Sequence, residues 1–424
     1  MAMDLQSPNN DIVQQRTMAS MEEKLLKSRQ RRSHPEPHTI CPFPDSLIKV
    51  HDEIRWPQLT SFGPCRHRTH PFLPFEKHKW DLLDEFLTRT KRNWQFYYER
   101  LMNSIDQIKR CYSEEVDKPA DDHQLVKMML LDGSFMVELF LLYEEGKDFT
   151  PPPPSSVQTL IADLLKLENQ LPFFVLEILF ELSTVGPPIR SLSYLALRFL
   201  SQAFCKSPEM VKAQVRKPKH LLDLFRRSLL PATNLDEDSH LSKHDRPMHP
   251  IQSVKHLRTA GISVRQRTAK SLLEIDFKKF QIPPLALKIP PLAIDDFTNA
   301  ILVNCVAVEQ CFTDESKHFT AYVCFMSCLM KQPEDVGYLR SADIINGFSR
   351  DEESFINMLN GIGTKVSSTL RECYLCKQFR EIHCYYNSYW ASISRSFFQY
   401  NHIMLYCSLL QIVVSIVGWR VSGN

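Results

Sequence analysis

A mainly α-helical fold is what this sequence predicts: a large bundle-like body, a small antiparallel β-ribbon inserted in it, and a hydrophobic helix at the C-terminus. Glycine is scarce, 11 residues against 27 prolines in 424, which suits helices punctuated by proline and argues against a Gly-rich phosphate-binding fold. Apolar residues recur at helical spacing through long stretches of both halves. Between Ile262 and Ile289 the period shortens to alternation, and after His402 an uncharged run closes the sequence.

The segment 1–39 is polar apart from isolated residues and has no apolar core of a secretory signal, so it reads as a disordered tail. Its basic cluster, Lys24, Lys27, Arg29, Arg31 and Arg32, reads as a solvated surface in preference to a targeting or lipid-contact motif. The helical body is expected over 40–400. From Lys77 to Tyr112 one surface helix is predicted, with Trp80, Leu83, Phe86 and Leu87 on its inner face. Asp121 and Asp122 cap a second helix through Met128, Leu131, Phe135, Leu139 and Leu142. It is apolar over most of its circumference and should be central.

Pro151 to Pro154 force an extended break, read as a connector ahead of a polyproline ligand. Asp163 opens a third helix through Leu167, Phe173, Leu176 and Leu179, and Ser191 opens another that reaches Phe204. Over about 231–255 the pattern lapses into Asp, Glu, Ser, His and Pro, a flexible insertion between two halves. Ile262 and Val264, then Leu272, Leu273, Ile275 and Phe277, then Leu285, Leu287 and Ile289 alternate between proline pairs, predicting an antiparallel ribbon within about 262–294. Helical spacing returns from Asp295 through Val308, from Thr320 to Met330, and from Asp351 to Phe398.

The run Ile403–Trp419 carries no charge, and its length of about 17 residues sits at the lower limit for a membrane-spanning helix. Ser408, Gln411 and Ser415 lie near one face and leave open a helix packed on the protein itself. Trp419 followed by Arg420 fits an interfacial end and favours a span. Arg395 and Arg420 flank the run equally, so basic-residue bias sets no topology.

Fifty-one basic and 49 acidic residues leave a formal net charge of +2, which gives nucleic acid no field to follow. The 12 cysteines lack the spacing of a disulfide-stapled domain and are expected to be small buried hydrophobes in a reducing, cytosolic setting. No Gly-x-Ser-x-Gly, His-Glu-x-x-His or Gly-x-Gly-x-x-Gly pattern occurs. Gly361-Ile362-Gly363-Thr364-Lys365 lacks phosphate-loop spacing and reads as a turn. Cys373, Cys376, His383 and Cys384 suggest zinc, but on one continuous helix Cys376 and His383 would stand roughly 10 Å apart along the axis. His240, His244 and His249 sit in the insertion, which offers a metal no fixed geometry. No catalytic residue, cofactor or metal ligand is therefore expected. What remains is a set of polar residues in apolar surroundings: Glu168, Asn169 and Gln170 in the first half, and Asn304, Glu309 and Gln310 in the second. Pro172 cannot donate to the carbonyl of Glu168, so the amide side chains are expected to serve freed backbone groups at a bend. A hydrogen-bond network joining the halves is favoured over a ligand pocket.

Several segments together resemble one plant family. Phe43-Pro44 with Leu47, Ser61-Phe62-Gly63-Pro64, Phe75-Glu76-Lys77-His78-Lys79 and Asp132-Gly133-Ser134-Phe135 lead to the most distinctive stretch, Asp163-Leu164-Leu165 with Leu167-Glu168-Asn169-Gln170-Leu171-Pro172-Phe173-Phe174. Leu257 with Ala260-Gly261-Ile262, Asn304 with Val308-Glu309-Gln310, Tyr322 with Phe325-Met326, and Asp335-Val336 with Leu339 follow in order. After about Thr39 the chain resembles the plant family called domain of unknown function 247. The resemblance implies a plant protein with a mainly helical fold, a single C-terminal membrane span and no established catalytic residues. Some members are associated with self-recognition in reproduction, others with development or stress. This chain departs from the family pattern at Cys65-Arg66-His67 and at Tyr400-Asn401-His402.

The expectation is thus a membrane-tethered, non-catalytic recognition or signalling module, with its bulk in the cytosol and a protein partner. Two alternatives stand beside it: an enzyme of unrecognised class, and a soluble regulatory protein whose last helix packs on its own core.

Overall fold

Helices built on apolar stripes make up most of the computed structural model, which describes residues 38–48, 52–66, 73–119, 121–147, 155–183, 190–203, 217–231, 249–277, 285–312, 316–346, 352–366 and 373–398, with isolated positions 18, 21 and 215. The stretch expected to form one helix from Lys77 to Tyr112 is three: α1 His78–Thr90, α2 Trp94–Met102 and α3 Ile105–Cys111. Lys91 takes a left-handed φ of +53° that ends α1. The Asn93 side chain then accepts the Phe96 N–H at 3.1 Å and starts α2. Helical spacing persists through such corners because the same core lies beneath all three helices. Leu82, Leu83 and Phe86 face it, whereas Trp80 is exposed.

Helix α4, Asp122–Glu144, is central as its composition predicts, with the Asp121 side chain accepting the His123 N–H at 3.0 Å. The third expected helix is instead two, α5 Ser155–Leu164 and α6 Phe173–Ser183, with a non-helical corner between them. Asp163 therefore does not cap a helix start; it lies in the last turn of α5. The apolar spacing runs on because the corner residues Leu165, Leu167 and Leu171 are buried too. Against α4 pack α1, α2, α6 and α7, Leu192–Leu200, the last capped by Ser191. At Gly133 α4 lies close against α6: a Cβ there would fall 2.5 Å from Leu179 Cδ1. Helix α8, Leu221–Ser228, has no counterpart in the sequence expectation.

The second half opens with α9, Val254–Thr259, and strands β1 Ile262–Gln266, β2 Asp276–Phe277 and β3 Leu285–Ile289. The expected antiparallel ribbon is a mixed sheet of order β1-β3-β2. Ile262 to Gln266 run parallel to Leu285 to Ile289, and only β2 is antiparallel to β3. Alternation identifies extended residues but not their partner, and the long segment between β1 and β3 permits the crossover that parallel pairing needs. Leu272, Leu273 and Ile275 precede β2 in a turn. A second small sheet pairs β4, Leu292–Ala293, with β5, Ile345–Asn346, in parallel.

Helix α10, Asp296–Cys311, capped by Asp295, lies against α5 and α8 and so joins the halves. It is followed by α11 His318–Leu329, α12 Pro333–Ser341, α13 Glu352–Val366 and α14 Cys376–Tyr386, then a last helical segment, α15, at 389–398. The helix expected from Asp351 to Phe398 is thus interrupted. One apolar core runs through both halves. Cys41 and Cys311 form a disulfide, so these two depart from the expected set of reduced, buried cysteines.

Among the described residues no helix is long and apolar enough to cross a membrane. The run Ile403–Trp419 lies outside the described residues, as do Pro151–Pro154, Phe204, most of the 1–39 tail and residues 232–248 of the insertion, with His240 and His244.

Candidate functional site

The six sequence-predicted polar residues lie at the junction of the halves, together with charged residues that were not expected to belong to the site. At its centre runs an irregular segment, Gln58 to Gly63. Among the described residues no strand pairs with it, so its six successive N–H groups need other acceptors. Asp163 accepts from Gln58 at 3.0 Å, Leu59 at 2.7 Å and Thr60 at 3.2 Å. Glu76 Oε1 accepts from Ser61 at 2.8 Å, Asn169 Oδ1 from Phe62 at 2.5 Å, and Asp132 Oδ2 from Gly63 at 2.9 Å. Four side chains thus substitute for a neighbouring strand.

The segment's carbonyls are served in the same way. Asn169 Nδ2 donates to Thr60 O at 3.2 Å and to Asp163 O at 2.9 Å, and Lys79 donates to Ser61 O. Gly63, at φ +67°, leaves no room for a side chain, since a Cβ would sit 2.7 Å from Gln170 O. That carbonyl also receives the Tyr112 hydroxyl at 3.1 Å. Lys79 is buried between Asp132 at 2.8 Å and Glu76 at 2.9 Å. Burial opposes its charge, but the two carboxylates outweigh burial and raise its pKa. Burial pushes the Asp132 carboxyl up, and Lys79 partly offsets this.

Glu168 accepts from Phe43 N at 3.0 Å and pairs with buried Arg66, whose guanidinium lies over the Trp56 ring at 4.1 Å. Gln170 Nε2 donates to the carbonyls of Leu164 at 2.7 Å and Lys166 at 2.8 Å, closing the end of α5. Its Oε1 accepts Leu222 N at 3.0 Å, which fixes the first turn of α8. The amides therefore do serve backbone groups left over at a bend, though the bend is a full break between α5 and α6.

The second-half residues continue the arrangement. Asn304 Oδ1 accepts Leu167 N at 2.9 Å across the halves, while its Nδ2 donates to Ala300 O at 2.8 Å. Glu309 caps α11, accepting Phe319 N at 3.0 Å and Thr320 N and Oγ1 at 2.8 Å. Gln310 Nε2 reaches Thr320 Oγ1 at 3.2 Å. Fully buried Arg226 bridges Asp223 at 3.3 Å and Glu309 at 3.5 Å. Burial raises Glu309, with Arg226 opposing it. Asp223 is also buried, yet the charges of His220, Arg226 and Arg227 and the Lys219 N–H bring it below its ordinary value.

Beside Glu309, His318 stacks on Tyr374 with ring centroids 4.6 Å apart. Burial, aided by Arg226, lowers its pKa to about 4, so its ring is neutral at pH 7. His318 Nδ1 and the hydroxyl of Tyr322, one helical turn further along α11, are buried without a hydrogen-bond partner among the described residues. Tyr322 stood out in the sequence only as a family landmark, and Arg226 not at all. Arg226 could have been found from Asp223 at i−3 beside the apolar Leu221, Leu222, Leu224 and Phe225.

The cysteine–histidine set near Cys373 does not form one site. Cys373 and Cys376 approach at 3.0 Å between sulfurs, with the side-chain contact to Cys376 and burial both raising the Cys373 thiol. His383 instead stacks on His249 with centroids 4.6 Å apart. Among the described residues no group of three His, Cys, Asp or Glu side chains is placed to hold a metal ion. Gly361 to Thr364 lie inside α13, so the turn expected there is helix.

A family model described as a plant protein of unknown function matches residues 40–419. The UPF0481 protein At3g47200 of Arabidopsis thaliana is 31% identical over 396 residues, covering 85% of this chain and 81% of the relative. The putative UPF0481 protein At3g02645 of the same plant is 21% identical over 451 aligned positions, covering 83% of each chain. No solved structure matches.

Proposed function

Because the chain belongs to the domain of unknown function 247 family of plant proteins, whose description carries no reaction, we propose that it is a membrane-tethered, non-catalytic module that recognises a protein partner. The observation supporting this is how its buried polar groups are used. Asp132, Asp163, Glu168, Asn169, Gln170, Asn304 and Glu309 each accept a backbone N–H from another segment. An acid, base or nucleophile must keep an atom in reach of substrate; these side chains instead give their acceptors to the fold. Their rigid junction orients the surface, and recognition belongs to that surface. The uncharged run Ile403–Trp419 is the tether.

Carbonate extraction of membranes from plant cells expressing the full chain tests the tether. The full chain should stay in the pellet, while deletion after His402 or Leu409→Arg should release it, since a central charge opposes insertion by about 2.5–3.5 kcal/mol. Release of the unaltered chain would refute the tether. Proximity labelling in the same cells would then identify the partner.

One observation favours a second reading, an enzyme of unrecognised class. His318 Nδ1 and the Tyr322 hydroxyl, one helical turn apart on α11, are each buried without a partner among the described residues, which a small polar ligand could supply. A ligand that co-purifies with the protein and is lost in Tyr322→Phe would support it.

A further inference from the structure

Helix α15, residues 389–398, presents its apolar side outward. Tyr389 is 77% exposed, Trp390 71%, Ile393 43% and Phe397 65%. At about 100° per residue these four fall within an arc of roughly 100°, flanked by Ser392 and Ser396, and the arc contains no charge. Single exposed apolar residues are ordinary on a protein surface, but a contiguous aromatic patch marks a site of contact.

The inward side fixes this orientation. Ala391 is fully buried. A Cβ built on Gly261, at the turn into β1, would lie 3.2 Å from Ser394 Oγ, so the helix backbone sits close against that turn. Arg395 donates to Tyr386 O at 2.7 Å, and its guanidinium lies 4.5 Å from the centre of the Tyr386 ring. The helix is held to the body by its polar and small residues, and the aromatic arc has no freedom to turn inward.

The length of chain that follows selects the occupant. Five peptide steps separate Phe398 from Ile403, where the uncharged run begins. At no more than about 3.6 Å per residue, that connection reaches at most about 18 Å. If the run is in the bilayer, α15 is held at the membrane surface. Tyrosine, tryptophan and phenylalanine on such a helix are the side chains that settle among lipid headgroups, with their rings in the acyl boundary and their polar atoms in water.

We infer that α15 is an interfacial helix that lays Tyr389, Trp390, Ile393 and Phe397 into the lipid surface and so fixes how the body stands on the membrane. This rests on the tether proposed above. It adds a second lipid contact, made by the folded body, that sets orientation where the tether alone would leave the body free to swing.

The test uses the full chain reconstituted into phosphatidylcholine and phosphatidylserine vesicles whose acyl chains carry bromine near the headgroups, which quenches tryptophan emission by contact. Trp390→Phe keeps an exposed aromatic and does not threaten folding, and it should remove about a third or more of the bromine-dependent quenching. Trp419→Phe reports the tether separately. Quenching reduced by Trp419→Phe but unaltered by Trp390→Phe would overturn the inference and leave the tether standing. Should carbonate release the protein and Trp419→Phe change nothing, the tether has failed; the inference then survives only if Trp390→Phe still removes quenching. Trp390 shielded from acrylamide yet untouched by bromine would mean that a second copy or the chain's own tail covers the arc, which also overturns it.

Discussion

Replacing Asn169 by leucine keeps a similar branched shape and removes every polar atom of the side chain. It leaves Phe62 N–H and Thr60 C=O without the partners they have at 2.5 Å and 3.2 Å. Asp163 O loses one donor but retains Lys166 N at 3.3 Å. Two buried backbone groups are stranded, each costing about 1–3 kcal/mol. The leucine recovers roughly 1 kcal/mol through apolar burial, so the net destabilisation is about 1–5 kcal/mol. At roughly 1–2 °C per kcal/mol for a body of this size, the melting temperature should fall by about 1–10 °C. Thermal unfolding of the two proteins, followed by far-UV circular dichroism at equal concentration, reads the difference. A shift below about 1 °C would refute the view that these side chains serve in place of a strand. Loss of partner capture at unchanged stability would make Asn169 a recognition residue instead.

Gly63→Ala should be as damaging although it adds one methyl, because φ is +67° and the new carbon would meet Gln170 O at 2.7 Å; we expect a loss above about 2 kcal/mol, and a protein of unchanged melting temperature would count against the geometry. His318 titrates near 4 in the folded protein against about 6.5 unfolded, so the unfolded chain binds the proton first as pH falls. The stability it contributes is therefore complete above about 6.5 and lost between there and about 4, on the order of 2–3 kcal/mol with partial exposure allowed for. His318→Phe keeps the stack on Tyr374 and should flatten that acid limb; parallel melting curves from pH 6.5 to 4 would refute the assignment.

Much of the helical body can be read locally. Ser191, Asp121 and Asp295 announce helix starts because a short polar side chain beside an apolar stripe has one favourable local use, accepting an N–H of the first turn. The apolar spacing of α4, α10 and α11 likewise states that they are buried, since no other environment suits a helix apolar on nearly all sides. Family membership was legible for the same reason that Glu168-Asn169-Gln170 stands out: polar residues surrounded by leucine are there for a specific purpose.

Local signals failed where a residue's partner is remote. Asp163 carries the signature of a helix cap, yet its carboxylate is committed to amides more than 100 positions earlier in the chain. The alternation from Ile262 to Ile289 marks extended chain, but pairing direction depends on where the connecting segment runs. The exposed arc of α15 was indistinguishable in sequence from a core-facing stripe, because tyrosine, tryptophan and phenylalanine suit a core and a lipid surface alike. The sequence by itself determined that the body is mainly helical, that the helices apolar on nearly all sides leave water, and the family. The tertiary structure decided which backbone groups the buried carboxylates and amides serve and which apolar face stays uncovered. Both depend on contacts between segments distant in the chain, which no local periodicity encodes.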